Sequence, residues 1–227
     1  MAGVKSFILG YTGETGKALV KQLAQDGHFT KIVLIGRREV DLDAGIQETN
    51  KFEQKVINFD NIAEFKDSVS ECDVGFCCLG TTRRKGGVDH FIKVDRDYVV
   101  NSARVAKEVG CKHFQVVTAY GANKNSFFTY NKTKGEVEEL LKGLEFDRLS
   151  IFRPGLLLGK RVEKRPLERF LSVMLTPLVK LSPKDSSVHF DILAKAMINN
   201  VTAEKPHDPV ETIDNKTIHS IANQDAN

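Results

Sequence analysis

The chain has 227 residues, which is more than a minimal domain and near the size at which a single α/β core stops growing. Hydrophobic residues make up 41% and charged residues 28%, a balance that excludes disordered, collagen-like and disulfide-scaffold proteins. The chain carries 33 Lys and Arg against 30 Asp and Glu, so charge alone predicts no direct nucleic-acid partner.

Short apolar runs alternate along the chain with longer segments of helical period. The runs predict strands, in chain order, at Ser6–Leu9, Lys31–Ile35, Gln54–Ile57, Val74–Cys78, His113–Thr118 and Arg148–Phe152. Helices are predicted between them at Glu14–Gln25, Ile62–Ser70, Val88–Val109 and Tyr130–Leu141, several with a C-cap glycine such as Gly27, Gly110 or Gly143. Unbroken apolar runs are typical of parallel strands buried on both faces, so we predict an α/β fold with a Rossmann-like doubly wound parallel sheet.

The pattern loosens after Phe152, where Arg153, Pro154 and Gly155 interrupt the last apolar run. Basic and apolar residues then mix until a final predicted helix near Phe190–Asn200. We predict that residues 153–189 form a small C-terminal substrate or lid lobe over the carboxyl ends of the strands, where such sheets bind ligands.

A glycine-rich motif joins the first predicted strand to the first helix, with Gly10, Gly13 and Gly16 at three-residue intervals. Gly10 permits a tight turn, Gly13 lets a pyrophosphate approach the backbone, and Gly16 lets helix and strand pack closely. The helix amino terminus adds N–H donors and a favourable dipole. The motif is weak without this context, since a glycine-rich turn can also bind nothing. In context, it predicts that residues 1–227 form one NAD(P)-binding Rossmann domain.

The end of the second strand indicates which dinucleotide is bound. An acidic residue there accepts from the ribose 2′-hydroxyl, whereas arginine accommodates a 2′-phosphate. This strand ends in Gly36, Arg37 and Arg38, and two guanidinium groups can bind a phosphate through charge-assisted hydrogen bonds. The sequence therefore favours NADP(H). Glu39 keeps NAD open, and a solvated basic turn is the alternative without function.

Tyr-x-x-x-Lys occurs twice, and only one pair has geometry suited to chemistry. Tyr130 and Lys134 open a predicted helix, where residues four apart share a face, while Tyr120 and Lys124 lie in a predicted loop. A phenol ionises near pH ~10, and a Lys ammonium ~4 Å away supplies about the 4 kcal/mol needed for acid–base work near neutral pH. Thr118 at the end of the fifth strand is predicted to orient a substrate carbonyl that Tyr130 protonates. Alternatively, Tyr130 is an ordinary helix-surface residue.

These motifs resemble the short-chain dehydrogenase/reductase superfamily, and within it the atypical branch of the Tat-interactive protein family, oxidoreductases associated with metastasis suppression. The resemblance extends from about Lys5 to Gly155 and continues more loosely beyond it. Its most specific string is Cys77-Cys78-Leu79-Gly80-Thr81-Thr82, and further matches are Leu34–Arg38, Lys93–Val99, Cys111–Phe114, Lys134–Glu138 and Phe152–Gly155.

The resemblance implies a set of residues that bind NADPH: Thr12, Gly13, Glu14, Thr15, Arg37, Arg38, Leu79, Gly80, Tyr130 and Lys134, with Leu157 and Arg165 where the family closes over the nicotinamide. It also implies a partner of the importin-beta type, and residence in the cytoplasm, nucleus or nuclear envelope. One departure weakens the expected catalysis. The family tends to have two serines where this chain has Thr118 and Ala119, and Tyr120 replaces a lysine.

The cysteines and apolar runs predict a soluble cytoplasmic protein with no metal site. Cys72, Cys77, Cys78 and Cys111 include no C-x-x-C motif and no accompanying His pair, so we expect reduced, buried thiols. No apolar stretch approaches the ~20 residues that span a bilayer, so we predict no transmembrane segment.

Two functional hypotheses share the same cofactor site. The first is an NADPH-dependent reductase of an unknown small carbonyl compound, with Tyr130, Lys134 and Thr118 as its catalytic residues. The second is an NADP(H)-occupied redox-sensing protein that regulates partners with little or no turnover. A nucleotide-sugar epimerase ranks last, because such enzymes usually have longer chains. The basic segments Arg83–Lys85 and Lys160–Arg165 lack an aromatic platform, so we expect flexible loops around the cofactor, with contact to nucleic acid as the alternative. We expect the apolar stripe at Phe170–Val179 to pack on its own core, with a partner helix or a membrane surface as the alternative.

Overall fold

The structure of the protein is a computed structural model that describes residues 3–43, 46, 50–61, 63–81, 86–159, 186–203 and 208–224. In this part of the chain a seven-stranded parallel sheet has helices on both faces. The first half contains β1 (Val4–Leu9), α1 (Glu14–Gln25), β2 (Phe29–Gly36), β3 (Phe52–Val56), α2 (Ala63–Val69), β4 (Val74–Cys77), α3 (Gly87–Ile92) and α4 (Tyr98–Glu108). The second half contains β5 (His113–Val117), α5 (Thr129–Lys142), β6 (Arg148–Arg153), β7 (Leu156–Leu158), β8 (Ser187–His189), α6 (Phe190–Thr202), β9 (Val210–Asp214) and α7 (Asn215–Ala222).

The strand order of the sheet is β3-β2-β1-β4-β5-β6-β9, and every neighbouring pair is parallel. The order reverses between β1 and β4, where Leu9 is paired with Cys77. In open α/β sheets, ligands bind at the carboxyl ends of the strands beside such a reversal. This topology confirms the predicted Rossmann-like class. It also indicates that a ligand site would lie at the loops that follow β1, β4 and β5.

Two apolar clusters lie on opposite faces of the sheet. On β1, Phe7 and Leu9 join the cluster packed under α2, α4 and α5, while Ile8 joins the cluster packed under α1, α6 and α7. Successive residues of a strand point to opposite faces, so a strand buried on both sides needs a continuous apolar run. This is why the inner strands could be recognised as short, mainly hydrophobic segments.

The six predicted strands are confirmed to within two residues at each end. The predicted helix Val88–Val109 is divided, because a π-helical turn at Lys93–Asp97 lies between α3 and α4. The predicted C-caps are only partly correct. Gly143 is the C-cap of α5, as predicted, with right-handed backbone at φ of −69°. The C-cap of α4 is Val109, and Gly110 follows it in the left-handed backbone that favours glycine, with φ of 92°. The C-cap of α1 is Asp26 instead of Gly27.

The region after β6 adds elements that the sequence pattern did not predict. β9 extends the main sheet beside β6, and α7 packs against α6. Within the predicted lobe 153–189, β7 and β8 form a two-stranded parallel sheet in which Leu157 is paired with Val188. Residues 160–185 lie outside the described residues, and with them Arg165, the Lys160–Arg165 cluster and Phe170–Val179; Arg83–Lys85 also lie outside.

Within the described ranges, no helix is both long enough and apolar enough to cross a membrane.

Candidate functional site

The loop between β1 and α1 depends on glycine at two positions. Gly10 has φ of 80°, and a Cβ there would lie 2.7 Å from the carbonyl oxygen of Cys78 at the end of β4. A Cβ on Gly16 would collide with the Gly10 carbonyl oxygen. The turn therefore lies directly against the neighbouring strand end, and the first turn of α1 lies directly on the loop.

Gly13 is the N-cap of α1 and leaves the helix end open. No side chain caps this helix, and the Gly13 N–H donates to the Gly10 carbonyl at 3.0 Å. A Cβ at Gly13 would meet only the Gly10 oxygen, at 3.3 Å, so its outer side is clear. Thr12 and Gly13 are exposed, Glu14 is half-buried and Thr15 is buried. An exposed helix amino terminus without a side-chain acceptor fits the pyrophosphate of a dinucleotide.

Arg37 and Arg38 follow β2 directly, on the side of the glycine loop away from β4. Both side chains are exposed, and neither forms an ion pair with another described residue. The backbone of this turn is anchored by Tyr11, a glycine-loop residue that the sequence analysis did not identify, whose hydroxyl donates to the Arg38 carbonyl at 2.9 Å. Two guanidinium groups that pair with no acid among the described residues are suited in chemistry to a 2′-phosphate.

The loop after β4 is held by Asp95, a second residue that the sequence analysis missed. Asp95 belongs to the π-helical turn and is 1% exposed. Its Oδ2 accepts from the Thr81 N–H at 2.7 Å, and its Oδ1 lies near Gly80, 3.4 Å from where a Cβ on that glycine would be. Leu79 packs partly against the core beside this loop. Single π-helical turns inside α-helices are frequent at functional sites, and this one places a carboxylate under the predicted cofactor loop.

Asp95 also pairs with Lys134, whose Nζ lies 2.7 Å from Oδ1. Burial lowers the pKa of Lys134, which is 5% exposed, but the Asp95 carboxylate, together with Tyr130 and Cys77, raises the pKa above its ordinary value. Lys134 is therefore protonated at neutral pH. Its charge is shared with Asp95, so Tyr130 receives less stabilisation than an isolated ammonium would provide.

Tyr130 lies in the first turn of α5, one turn before Lys134, as the four-residue spacing predicts. Its ring is half-buried and stacks on Phe91 with ring centroids 5.8 Å apart, and it contributes to the raised pKa of Lys134. The second pair has no such geometry. Tyr120 is 62% exposed in a turn, and Lys124 pairs with Glu139 at 3.0 Å. The structure thus brings together Tyr130 and Lys134 and leaves the other pair apart.

Thr118 is buried, and its hydroxyl faces Glu138. The Thr118 Oγ1 donates to Glu138 Oε1 at 2.7 Å and lies 3.3 Å from the Phe152 carbonyl oxygen. Glu138 is itself buried and paired with Arg153. A hydroxyl has one proton to donate, so a Thr118 that donates to Glu138 has none for a substrate oxygen. The predicted role of Thr118 in orienting a substrate carbonyl does not fit this geometry.

Of the two residues predicted near the nicotinamide, Leu157 lies on β7, where it is half-buried against the cluster under α1 and α6. Arg165 is outside the described residues. Glu138 and Arg153 are further residues that the sequence analysis did not single out. The four-residue step from Lys134 to Glu138 on one helix face was a usable signal for the first of them.

The cysteines are free, as predicted, and Cys72, Cys77 and Cys111 are buried while Cys78 is half-buried. Burial raises the pKa of Cys72, Cys77 and Cys111 to about 12 in each case. In the described part of the chain, no cluster of His, Cys, Asp and Glu has the arrangement of a metal site.

Comparison with known proteins identifies the class. A family model described as NAD(P)H-binding matches residues 10–169, and the chain belongs to this NAD(P)H-binding family. It is a homologue of protein HTATIP2, the Tat-interactive protein: the Rattus norvegicus protein is 43% identical over 212 residues, covering 93% of this chain and 86% of that one. Protein FMP52 of Eremothecium gossypii, named mitochondrial, is 37% identical over 159 residues, covering 70% of this chain and 68% of that one. The predicted family resemblance is confirmed.

Solved structures with a similar fold include MoeE5 and a UDP-glucuronic acid 4-epimerase. MoeE5 in complex with UDP-glucuronic acid and NAD superimposes with a TM-score of 0.70 at 13% identity, over 92% of this chain and 76% of that one. UDP-glucuronic acid 4-epimerase from Bacillus cereus, in complex with UDP-glucuronic acid and NAD, gives 0.69 at 16% identity, over 93% and 77%. At these identities the likeness establishes the fold alone.

The predicted cytoplasmic, nuclear or nuclear-envelope location is wrong on these comparisons. Fungal relatives between 31% and 37% identical are named as mitochondrial proteins, including those of Eremothecium gossypii and Aspergillus fumigatus. The location was predicted from composition and the family resemblance, and composition does not distinguish one compartment from another.

Proposed function

We propose that the protein is an NADP(H)-dependent oxidoreductase that reduces a carbonyl compound with Tyr130 as its proton donor. The observation that carries this proposal is the placement of Tyr130 one helical turn from the buried Lys134, whose partner Asp95 also holds the loop after β4. Acid–base residues and a dinucleotide-type loop thus share the carboxyl ends of the strands. Membership of the NAD(P)H-binding family supports the cofactor class.

The residues that would hold the cofactor lie around the reversal of strand order. The glycine loop, with Gly10, Gly13 and Gly16 and the flanking Thr12, Glu14 and Thr15, would bind the pyrophosphate, and Arg37 and Arg38 the 2′-phosphate. Leu79, Gly80 and Leu157 would line the remainder. The family resemblance also implies Arg165, which lies outside the described residues. When bound, NADPH would supply the hydride that, with one proton from the protein, converts a carbonyl group to an alcohol.

Tyr130 would donate its phenolic proton to the carbonyl oxygen, which leaves a phenolate that the Lys134 ammonium stabilises. Asp95 fixes the position of Lys134 and keeps it protonated, because it offsets the cost of burying the ammonium group. Tyr130 is half-buried, so solvent can return the proton to the phenolate after each turnover.

The test is a titration of the full chain with NADPH and NADH, followed by a screen of carbonyl compounds for NADPH oxidation. Tyr130→Phe should bind NADPH nearly as wild type does and lose turnover, because only the proton donor is removed. Tyr120→Phe is the matched control: this exposed tyrosine belongs to the second Tyr-x-x-x-Lys pair, and its variant should be fully active. Turnover that survives in Tyr130→Phe would refute the proposed proton donor.

A redox-sensing binding protein is the second candidate, and the geometry around Thr118 favours it. The Thr118 hydroxyl is committed to Glu138, Ala119 has no hydroxyl, and Asp95 offsets the charge of Lys134. Each feature would weaken turnover without weakening cofactor binding. Such a protein would bind its partner with different affinities when it carries NADPH, NADP⁺ or neither. A receptor of the importin-beta type, as the family resemblance implies, is the first partner to measure, and three equal affinities would exclude this candidate for it.

A further inference from the structure

Tyr11 occupies the second position of the glycine loop, yet its side chain points away from the predicted pyrophosphate position and into the protein. It is 2% exposed and belongs to the core cluster on the α1 face. Its ring lies across Gly36, the last residue of β2: a Cβ on Gly36 would be 2.8 Å from Tyr11 Cε1. Glycine at position 36 therefore makes room for the ring of Tyr11.

The Tyr11 hydroxyl links the glycine loop to the turn after β2. It lies 2.9 Å from the Arg38 carbonyl oxygen and 2.8 Å from Gln54 Oε1 on β3. The orientation of the Gln54 amide is fixed by Val40, whose N–H donates to Oε1 at 3.0 Å and whose carbonyl accepts from Nε2 at 2.9 Å. The single phenolic proton is therefore shared between two fixed acceptors. We name Tyr11, Gly36, Val40, Gln54 and the Arg38 carbonyl the Tyr11 clamp.

The clamp provides the described hydrogen bonds of residues 37–40. Within this turn Arg37, Arg38 and Glu39 are exposed, and Val40 packs partly against the core. Arg37 and Arg38 project from this turn as long, solvated side chains. The position of a guanidinium group depends on its backbone, and ordering a flexible turn at the moment of binding reduces the affinity that its contacts provide. A clamp that orders the turn in advance therefore raises the affinity most for a ligand that binds both arginines.

We propose that Tyr11 is a specificity-determining residue, which sets the preference for NADP(H) over NAD(H) by fixing the backbone that carries Arg37 and Arg38. This inference rests on the proposed function, in which those arginines bind the 2′-phosphate. NAD(H) has a hydroxyl at the same carbon and gains little from two ordered guanidinium groups. Tyr11 is buried with its side chain directed into the protein, so it acts as a positioning residue through the Arg38 carbonyl.

The test compares NADPH and NADH dissociation constants for the full chain and for Tyr11→Phe, which keeps the ring over Gly36 and removes the phenolic oxygen. The net value of one neutral hydrogen bond corresponds to about a five-fold change in an equilibrium constant. We expect NADPH to bind about five-fold more weakly and NADH to bind unchanged. Tyr98→Phe is the matched control, because the Tyr98 hydroxyl donates to Asp60 at 3.1 Å, away from the clamp. It should leave both constants as they are.

The outcomes separate this inference from the proposal on which it rests. Equal affinities of wild type for NADPH and NADH would refute the proposed cofactor preference itself. If wild type prefers NADPH and Tyr11→Phe keeps that preference in full, only the proposed role of Tyr11 is overturned. Equal losses of affinity for both cofactors would overturn it as well, because Tyr11 would then support the whole dinucleotide site. Gln54→Leu removes the other side of the clamp and should reproduce the selective loss, so it replaces Tyr11→Phe if that variant does not fold.

Discussion

Asp95→Asn tests the buried ion pair on which the proposed acid–base chemistry depends. In the wild type, one carboxylate oxygen accepts from Lys134 Nζ and the other from the Thr81 N–H, both at 2.7 Å. An asparagine amide has only one acceptor oxygen, so its NH₂ group must face one of these two donors. The substitution therefore removes a hydrogen bond and leaves the Lys134 ammonium without a countercharge, at almost unchanged side-chain volume.

The magnitude follows from the burial of both partners, which are 1% and 5% exposed. Removing one member of a buried pair leaves an uncompensated charge and typically costs about 3–5 kcal/mol. The pH dependence has a definite sign. The folded-state pKa of Lys134 is raised, so its contribution to stability is complete below the ordinary lysine value of 10.5 and disappears as the pH rises through the folded-state pKa. The difference between wild type and variant should therefore persist at neutral pH and shrink only in strong alkali.

Urea unfolding of both proteins, followed by circular dichroism at several pH values, measures this difference. Glu139→Gln is the control on α5, the helix that carries Lys134, because Glu139 pairs with Lys124 and Lys142 on the surface and solvent screens these pairs. The double variant Asp95→Asn/Lys134→Met should recover much of the loss, since it leaves no charge buried. An Asp95→Asn protein as stable as wild type at neutral pH would refute the reasoning.

Three further predictions concern packing and chemical reactivity. Gly16→Ala should destabilise the fold by about 1–3 kcal/mol in thermal unfolding, because the added Cβ collides with the glycine loop. Gly27→Ala is the control and should be neutral or slightly stabilising, because no atom lies within 4 Å of its Cβ position. Equal effects of the two substitutions would contradict the packing of the glycine loop. Thr118→Val should cost about 1–3 kcal/mol of stability and leave NADPH affinity unchanged, because it removes a hydrogen-bond donor from the buried Glu138 carboxylate. A selective loss of NADPH affinity would instead place the Thr118 hydroxyl at the cofactor. In the folded protein, three thiols should resist alkylation by iodoacetamide at neutral pH: Cys72, Cys77 and Cys111. Rapid alkylation of these thiols would contradict their burial.

The inner sheet could be predicted from the sequence because its strands are buried on both faces. β1, β2 and β4 each contain a continuous apolar run, at Phe7–Leu9, Ile32–Ile35 and Val74–Cys77, and the intervening segments have helical period. β9 escaped prediction because it is an edge strand in which only Ile213 is buried, so its sequence Val-Glu-Thr-Ile-Asp has little apolar character. Its place in the sheet comes from pairing with β6, a contact that local pattern does not encode.

In the candidate site, too, local contacts could be predicted from the sequence and long-range contacts could not. The spacing of Tyr130 and Lys134 predicts their shared face, because it depends only on the geometry of one helix. Asp95 and Tyr11 were missed because their roles depend on residues 39 and 27 positions away, Lys134 and Arg38. Thr118 was assigned to the substrate from its position at a strand end, and the direction of its hydroxyl is decided by a helix that packs beside that strand.

The most direct test of the account is an NADPH titration of the full chain and of Gly13→Asp, with unfolding of both measured in parallel. Gly13 is the N-cap of α1 with extended backbone, and its Cβ position is nearly clear, so aspartate there should cap the helix and preserve or raise stability. Its carboxylate would occupy the predicted pyrophosphate position and repel the negatively charged pyrophosphate. The account predicts saturable NADPH binding by wild type and none by a well-folded Gly13→Asp. Equal binding by the two proteins would contradict the assignment of this loop as the cofactor site.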